Sequence, residues 1–586
     1  MSRLRQISGF LRPYRRSLIT ASILTGVLTL IGMAPPLLMR SLINDVARES
    51  NWGVFPLLMG LLIAVPLFRA FVNILNGITL HGTAQGIISS TRKGLFRQLM
   101  RLSMRFYDQT PPGAISQRLF GDVGTVSGLA GGDLAALLGD VVMVVFAVVV
   151  MLRLNWMLSL LTFALLPLYY LNTWFFSRRI QSANAQLRSH MDHISSTLQE
   201  RLSAHELIQA YGQDRQEATH FSSKAKQVMD AAVRGQAYSI TFNQLADFLN
   251  RLGNTLIYCA GCYFFIRGRM DYGDVIAFAA YATQLLGPVV RFSHVTNQLA
   301  QIGVSADRVQ EILNREPAIR EAEEARPVTQ LRGDIQVEGV TFGYDPDRPV
   351  LRDFTIHIPA GTNLALVGTP GAGRTTLAML IRRFYDPASG HVSVDGEDVR
   401  RFKIRDYRQA LALVMPESAI FDGTIRENLC YGKPDAGEDR MLEVARAVGL
   451  HEFVASLADG YDTRLGTGGL RLSAGAQQQI GVARALLSDP AILIVDEATA
   501  ALDPDTAEVV HQAVHRMTEG RTCVLIVHRL QMAGGADRVA VLQEGQVVEA
   551  GTHEELLRTD GALYRALYAE QYGEDRLPPA GKGGRP

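Results

Sequence analysis

Six segments of this 586-residue chain, near 17–42, 54–80, 131–153, 155–177, 240–266 and 273–300, are long enough to cross a bilayer, for which about 20 residues suffice. In lipid such a segment satisfies its backbone polar groups by folding as a helix. All six lie in the first half, so the overall 47% hydrophobic and 20% charged composition is unevenly divided. The links Leu154–Asn155 and Arg267–Tyr272 are short enough to be hairpins on one side of the membrane. The stretches 81–130 and 178–239 are long, polar and helix-compatible, and belong on the other side. Arg3, Arg5, Arg12, Arg15 and Arg16, with Arg92, Lys93, Arg97, Arg101, Arg105, Arg178 and Arg179, place the N-terminus and both long loops in the cytoplasm. Arg267 and Arg269 depart from that rule. Residues 1–16 read as an interfacial amphipathic helix. No cleavable signal peptide is expected, because the first apolar segment is too long and lacks a cleavage site.

The long loops imply helices that continue past the bilayer. At their tips the pattern breaks, in FYDQTPPGAISQRLFGDV (106–123) and IQAYGQDRQEATHF (208–221), where Pro111, Pro112, Gly113 and Gly212 stop the helices and a short helical piece follows each. Such a piece suits docking to a cytoplasmic domain and equally suits a plain surface turn. Arg69, Asn73, Asn76, Asp140, Asn243, Asp247, Asn250, Arg251, Asn254 and Arg291 fall within spans. Polar groups at that depth line a cavity or pair with one another, and Asp247 and Arg251 have the i, i+4 spacing for pairing. Pro35, Pro36 and Pro288 predict bends in the first and last spans.

The second half reads as an α/β domain. Residues 307–327 are charged and helix-compatible, and strand signals begin near Ile335. NLALVGTPGAGRTTL (363–377) is an apolar strand, a glycine-rich turn and the start of a helix. Gly368, Gly371 and Gly373 let backbone N–H groups turn inward around an anion, and the following helix presents its positive end to it. Thr375 is placed to offer a hydroxyl to Mg²⁺. AILIVDEATAALD (491–503) gives a buried strand with Asp496 and Glu497 at its C-terminal end, where open α/β sheets bind ligands. Asp496 is assigned to Mg²⁺ through water and Glu497 to polarising an attacking water. VLIVHRL (524–530) ends a third strand in His528, positioned to sense a γ-phosphate. In RLSAGAQQQIGVARALL (471–487), Ser473 and Gly475 open a second anion-binding helix N-terminus. One domain needs one phosphate site, so a second implies a dimer. Tyr344 is either a core residue or a ring stacked on a purine. The net charge of +1 points to no nucleic-acid partner. The four cysteines show no disulfide or metal spacing, and Cys259 and Cys262 are assigned to packing.

With those motifs in order, the chain resembles a half-transporter of the ATP-binding cassette exporter superfamily, of the type IV architecture, over residues 1–570. The resemblance implies an α-helical six-span transmembrane domain followed by an α/β P-loop NTPase cassette, with ATP and Mg²⁺ as cofactors and a lipid bilayer, a second half-transporter and a transported substrate as partners. It divides the chain into an N-terminal helix (1–16), a transmembrane domain (17–305), a linker (306–334), a nucleotide-binding domain (335–570) and a disordered tail (571–586). It places the protein in the cell inner (plasma) membrane, multi-pass, with the cassette cytoplasmic. Tyr344 would stack on adenine. Gly368 to Thr375, with Thr376, would be the Walker A loop, Asp496 and Glu497 Walker B and the catalytic base, and Leu502–Asp503 the D-loop. His528 would be the switch histidine, Ser473 and Gly475 the signature contacts, and 106–123 and 208–221 the coupling segments.

Against that pattern the chain departs at six residues. Arg374 stands for the Walker A lysine and Pro416 for the glutamine of the loop after LALVM. Ala474 and Ala476 stand for glycine and glutamine in the signature, Thr467 for an acidic residue, and Ala500 for the D-loop serine. A homodimer would carry these departures in both nucleotide sites, whereas a heterodimer would split them: one site takes this chain's Arg374, Pro416, Glu497 and His528 with the partner's signature, and the other takes the partner's Walker motifs with Ser473 and Gly475 from here. The expectation is therefore an exporter subunit paired with a different half-transporter, the main hydrolytic site resting on the partner's Walker motifs. An active Glu497, a nucleotide-responsive regulatory subunit, or an importer of the same architecture are the alternatives.

Overall fold

A computed structural model describes residues 12–128, 134–466, 468–496, 502, 504–518 and 520–578. The chain divides into two compact units, one made of 1–100 with 112–315, the other of 101–111 with 316–586. Most of the expected N-terminal helix, the start of the third span at 131–133, and the tail from 579 lie outside the described residues. The described part of the tail is ordered: a helix runs to Tyr572 and a 3-10 turn spans Glu574–Arg576.

In the first unit, α1 (Arg15–Gly32) gives way at Met33 to α2 (Ala34–Ser41), with Pro35 in the first turn of the second piece. Proline is tolerated there because the N–H it lacks has no partner within the helix. α3 (Phe55–Leu99), α4 (Leu134–Leu154), α5 (Trp156–Ser203) and α6 (Asp214–Ile266) follow. The hairpin between α4 and α5 is a single residue, Asn155, whose side chain accepts from the Met157 and Leu158 N–H groups at 3.1 and 3.0 Å. That side-chain cap is why the chain restarts a helix immediately.

α7 (Tyr272–Gln284) and α8 (Leu286–Leu313) form the last segment, broken at Leu285 rather than at Pro288. Pro288 has no N–H to donate to the carbonyl four residues back, and that carbonyl belongs to Gln284, the last residue of α7. Asp271 and Asp274 cap α7 as a capping box. They also pair with Arg48 and Arg40 at the end of the first segment.

In this unit the count of six spans is not confirmed exactly, and the expected helix ends are revised. Among the described residues four helices are long and apolar enough to cross a membrane, those covering 12–48, 55–99, 136–154 and 156–203, so length and hydropathy do not reproduce a count of six. The membrane part of α6 carries Asn243, Asp247, Asn250, Arg251 and Asn254, and the segment after it is divided at Leu285. It packs instead against neighbours, α6 along α5 and α7 against α2, α4 and α6. The breaks in the long helices also come earlier than the prolines and glycine suggest. α3 ends at Leu99 and a short helix, Met104–Gln109, precedes Pro111. α5 ends at Ser203, and His205–Ala210 precedes Gly212, whose φ of 61° makes the turn into α6.

Of the polar groups within the spans, Arg251 and Asp247 form an ion pair at 2.8 Å, as do Arg291 and the buried Asp140. Asn76 donates to the Thr25 hydroxyl at 3.1 Å. These residues are thus paired, and Arg251, Asp247 and Arg291 keep exposed side chains while paired.

The second unit holds two main sheets. β1 (Ile335–Phe342), β2 (Leu351–Ile358), β4 (Ser389–Val394) and β5 (Glu397–Asp398) form an antiparallel sheet in the order β2-β1-β4-β5. β3 (Asn363–Gly368), β6 (Leu411–Val414), β9 (Ile492–Asp496), β10 (Thr522–Ile526), β11 (Arg538–Gln543) and β12 (Gln546–Gly551) form the other, in the order β12-β11-β3-β10-β9-β6. β7 (Gly423–Thr424) and β8 (Arg464–Leu465) make a small ribbon. A buried cluster that includes Ile335, Phe354, Leu366, Leu377, Ile494 and Val524 joins the two main sheets. Strands β3, β6, β9, β10 and β11 run parallel, so their C-terminal ends lie along one edge. α9 (Arg374–Ile381), α10 (Ala474–Leu487) and α11 (Pro504–Thr518) complete the layers used below.

The charged stretch 307–327 is helical only as far as Leu313. Pro317 disfavours helix at the residue before it. Beyond it the chain runs extended beside Phe402, with Arg326 exchanging backbone hydrogen bonds with Arg401 and Lys403 at 2.8 Å each.

Gly368 closes β3 against β11, where a Cβ would stand 2.2 Å from the Leu542 carbonyl oxygen. Backbone cannot retreat as a side chain does, so Gly368→Ala is expected to destabilise the cassette by on the order of 3 kcal/mol. Thermal unfolding checks this, and an unchanged midpoint would show that the two strands part at little cost.

Candidate functional site

The three strand ends singled out by sequence meet at one edge of the parallel sheet. β3, β10 and β9 are consecutive neighbours there, so Gly368, Val527–His528 and Asp496 are brought side by side. Between Gly368 and α9 the chain makes a tight turn, with Ala372 N–H donating to the Thr369 carbonyl at 3.1 Å. Gly371 and Gly373 take φ values of 82° and 98°, a region that L side chains disfavour. Gly373 also faces Leu351, whose Cδ2 would be 2.5 Å from an added Cβ. Glycine is therefore required there by conformation and by space. The turn delivers the N-terminus of α9 at the sheet edge, the arrangement that cradles a phosphate.

Thr375 and Asp496 are joined directly: the threonine hydroxyl donates to the Asp496 carboxylate at 3.0 Å, and Asp496 is only 4% exposed. Both offer hard oxygen atoms, the donors that Mg²⁺ prefers. No group of three or more His, Cys, Asp or Glu ligands exists among the described residues. A metal at this place would thus take most of its ligands from phosphate and water, as Mg²⁺ beside a nucleotide does.

Arg374 is 8% exposed and directed at the neighbouring strand end. Its Nη1–H donates to the Val527 carbonyl at 3.1 Å and Nη2–H to His528 Nε2 at 3.1 Å. A guanidinium has no acceptor, so His528 must accept through Nε2 and carry its proton on Nδ1. In this arrangement the residue at the lysine position and the candidate switch histidine hold each other.

Tyr344 is 45% exposed, and its hydroxyl lies 3.4 Å from the Thr376 hydroxyl. Its ring meets the edges of Phe342 and Tyr385 with centroids 5.4 Å away in both cases. An exposed ring face beside the phosphate loop suits stacking on a base.

Ser473 and Gly475 open α10, away from the loop. The Ser473 oxygen accepts from Ala476 N–H at 3.2 Å, capping its own helix, and among the described residues it has no hydrogen bond to the phosphate loop. Glu497 lies outside the described residues, as do Thr467, Ala500 and Asp503. Pro416 is exposed in the irregular segment after β6.

Three features of this unit escape local sequence reading. Gln478 of α10 donates to the Met415 carbonyl at 3.0 Å, beside Pro416. Arg484, also on α10, donates to the Ala419 carbonyl at 3.1 Å and lies over the rings of Phe421 and Tyr431. Burial pushes its guanidinium pKa below the usual range. Tyr385 donates to Asp108 at 2.5 Å, tying the short helix Met104–Gln109 to the aromatic group around Tyr344. Burial first, then this bond, pushes the Tyr385 phenol well above its ordinary value. The periodic spacing of Gln478 and Arg484 on an amphipathic helix is a weak signal at best, and nothing near Tyr385 announces Asp108, 277 residues away.

Residues 18–289 match the family model of the ABC transporter transmembrane region, and residues 351–500 that of the ABC transporter cassette. The chain is 31% identical over 569 residues to the ABC transporter ATP-binding protein YknV of Bacillus subtilis (strain 168), covering 97% of this chain and 94% of that protein. It is 31% identical over 540 residues to the ATP-dependent lipid A-core flippase of Syntrophus aciditrophicus (strain SB), covering 92% and 90%. Among solved structures it resembles a bacterial Atm1-family ABC exporter with ATP bound, at a TM-score of 0.79 and 25% identity, over 96% of this chain and 99% of that one.

Proposed function

The chain belongs to the ABC transporters, as an ATPase-coupled exporter half-transporter with one membrane domain and one cassette, and from that premise we propose that it is the slower-hydrolysing subunit of a heterodimer. The observation that carries this reading is the engagement of Arg374 by the Val527 carbonyl and His528. Lysine is a slim, mobile point charge suited to reaching between phosphates, whereas the planar guanidinium is fixed by two partners away from the loop. Pro416 adds to it, having no side-chain donor or acceptor to offer a nucleotide or metal.

In this reading the protein spans the inner membrane with its cassette in the cytoplasm. ATP is held by the N–H groups of the loop 368–376, by the N-terminus of α9, and by Tyr344 against adenine. Thr375 and Asp496 would hold Mg²⁺, which when bound neutralises phosphate charge. Glu497 orients the attacking water, and His528 reports the γ-phosphate once Arg374 releases it. Ser473 and Gly475 face the nucleotide of the opposite cassette. A second subunit with lysine and glutamine at the positions of Arg374 and Pro416 supplies the faster site. Residues 106–123 and 208–221 carry the cassette movement to the membrane half, and ATP must favour the closed cassette pair by several kcal/mol to drive it.

The deciding experiment measures Mg-dependent ATPase of the full-length protein in lipid nanodiscs, alone and co-purified with a half-transporter of that kind. Alone it should turn over slowly, and the pair should be faster by about tenfold or more, the worth of one charge-assisted contact in the transition state. Vigorous ATPase by the chain alone, abolished in Glu497→Gln, would refute the heterodimer.

A further inference from the structure

The first unit contains a cavity of about 800 Å³ walled by α5, α6 and α8, and amide side chains contribute much of its lining. On α5, Ser177, Gln181, Asn184 and Arg188 are spaced four, three and four residues apart, which sets them on one helix face. From α8, Gln298 and Gln301 face the same space, again one turn apart. None of the four amide side chains, nor the Arg188 guanidinium, has a hydrogen-bond or ion-pair partner among the described residues. Among the described residues no carboxylate lines the cavity, and Arg188 is the one charged group there. Phe242 and Ile180 are the main apolar contributions.

Depth narrows what this cavity serves. α5 starts at Trp156, immediately after the hairpin residue Asn155. At about 1.5 Å per residue, Thr173 lies about 26 Å along the helix and Arg188 about 48 Å. The hydrocarbon core is about 30 Å thick. The amide-lined wall therefore begins where the core ends and continues into the aqueous side from which the long helices project. A hydrophobic molecule moving sideways out of the bilayer meets apolar helix surface before it reaches these groups.

We propose that this cavity is the loading site for a hydrophilic solute of a few hundred daltons that bears one carboxylate or phosphate and several amide or hydroxyl groups. Amides donate and accept, so four of them read a polyfunctional backbone, and Arg188 matches the anionic group in a bidentate manner. The volume is within the range of pockets that hold small molecules of that size. A hydrophobic cation finds no counter-charge among the described lining residues. The inference rests on the exporter reading above and adds the chemistry of its cargo.

The test uses the full-length protein in nanodiscs, together with its companion subunit where one is needed for activity. Four probes are compared: N-acetyl-Ala-Gln-Ala with a free carboxylate, its C-terminal amide, glucose 6-phosphate, and tetraphenylphosphonium. Equilibrium binding and stimulation of ATPase are both recorded. The carboxylate peptide or the sugar phosphate should bind and stimulate, and the peptide amide should bind about tenfold more weakly. Arg188→Ala should remove that preference for charge, and Gln298→Ala should weaken both peptides by several-fold. Nanodiscs of phosphatidylcholine and of phosphatidylglycerol separate a free anion from a lipid headgroup, and the soluble probes should act equally in both.

Response to tetraphenylphosphonium alone, response to phosphatidylglycerol alone, response to no probe, or binding indifferent to Arg188→Ala and Gln298→Ala would each overturn the proposal. ATP binding in the same samples keeps this separate from the function proposed above, since a cassette that binds ATP beside an unresponsive cavity refutes only the cargo.

Discussion

Arg374→Lys is expected to raise the ATP turnover of this subunit by about tenfold or more, the worth of one charge-assisted hydrogen bond realised in the transition state. Two changes follow from one substitution. The guanidinium now spends one N–H on the Val527 carbonyl and another on His528 Nε2. An ammonium on a flexible stem has no fork with which to hold both, and at the N-terminus of α9 its charge is drawn to the same anion that the loop collects. His528 is released in the same step. Its Nε2 accepts from Arg374 in the present arrangement; without that donor the ring can take the other tautomer and present Nε2–H to a phosphate. The variant should therefore lower the KM for ATP as well as raise kcat, and His528→Ala in the Arg374→Lys background should cancel a large part of the gain. Steady-state kinetics at saturating Mg²⁺ decide it. Unchanged turnover in Arg374→Lys would show that the departure at this position is not what limits the site, and the case for a slow subunit would then rest on Pro416 alone.

What the sequence makes legible is what short-range chemistry dictates. The phosphate loop could be read from Gly368, Gly371 and Gly373 because strand, turn and helix follow one another within fifteen residues, and each glycine answers a local demand. The placing of Asp496 and His528 beside it could be read because buried apolar strands ending in polar residues share an edge in parallel sheets. Helix ends were less legible. Pro111 and Gly212 are strong breakers, yet α3 and α5 stop several residues earlier, at Leu99 and Ser203. A breaker fixes the latest point at which a helix can end, while packing decides where it does end. The polar residues of the spans were ambiguous for a similar reason: the pair Asp140 and Arg291 lies 151 residues apart in the chain, and only the fold brings them to 2.8 Å. The mutual hold of Arg374 and His528 belongs to this class too. The sequence showed an unexpected arginine, and the neighbouring strand end showed what the arginine does.

The second large effect concerns the metal. Asp496→Asn should abolish the Mg²⁺ dependence of nucleotide binding and reduce hydrolysis by about a hundredfold or more, since charge neutralisation at phosphate is worth several kcal/mol. The substitution is close to isosteric, and the Thr375 hydroxyl can still donate to the remaining carbonyl oxygen, so the 3.0 Å contact between α9 and β9 has a replacement. The strand around it is fully buried, which holds the side chain in place. What disappears is the negative charge. An amide is a poor ligand for a small, hard dication that already parts reluctantly with water. The loop N–H groups and the helix N-terminus act on the phosphates without the metal, so affinity for ATP in EDTA should be the same in wild type and variant. Adding Mg²⁺ should then tighten binding to the wild type and leave the variant unmoved. That separation distinguishes a metal ligand from a residue that merely supports the fold, because a loosened fold would weaken binding in both conditions. Thr375→Ala gives the complementary case: it removes the neutral ligand and keeps the charge, and its Mg²⁺ response should fall between the two. If Asp496→Asn still bound Mg-ATP more tightly than free ATP, the metal would have to be held elsewhere, and the assignment of this strand end would fail.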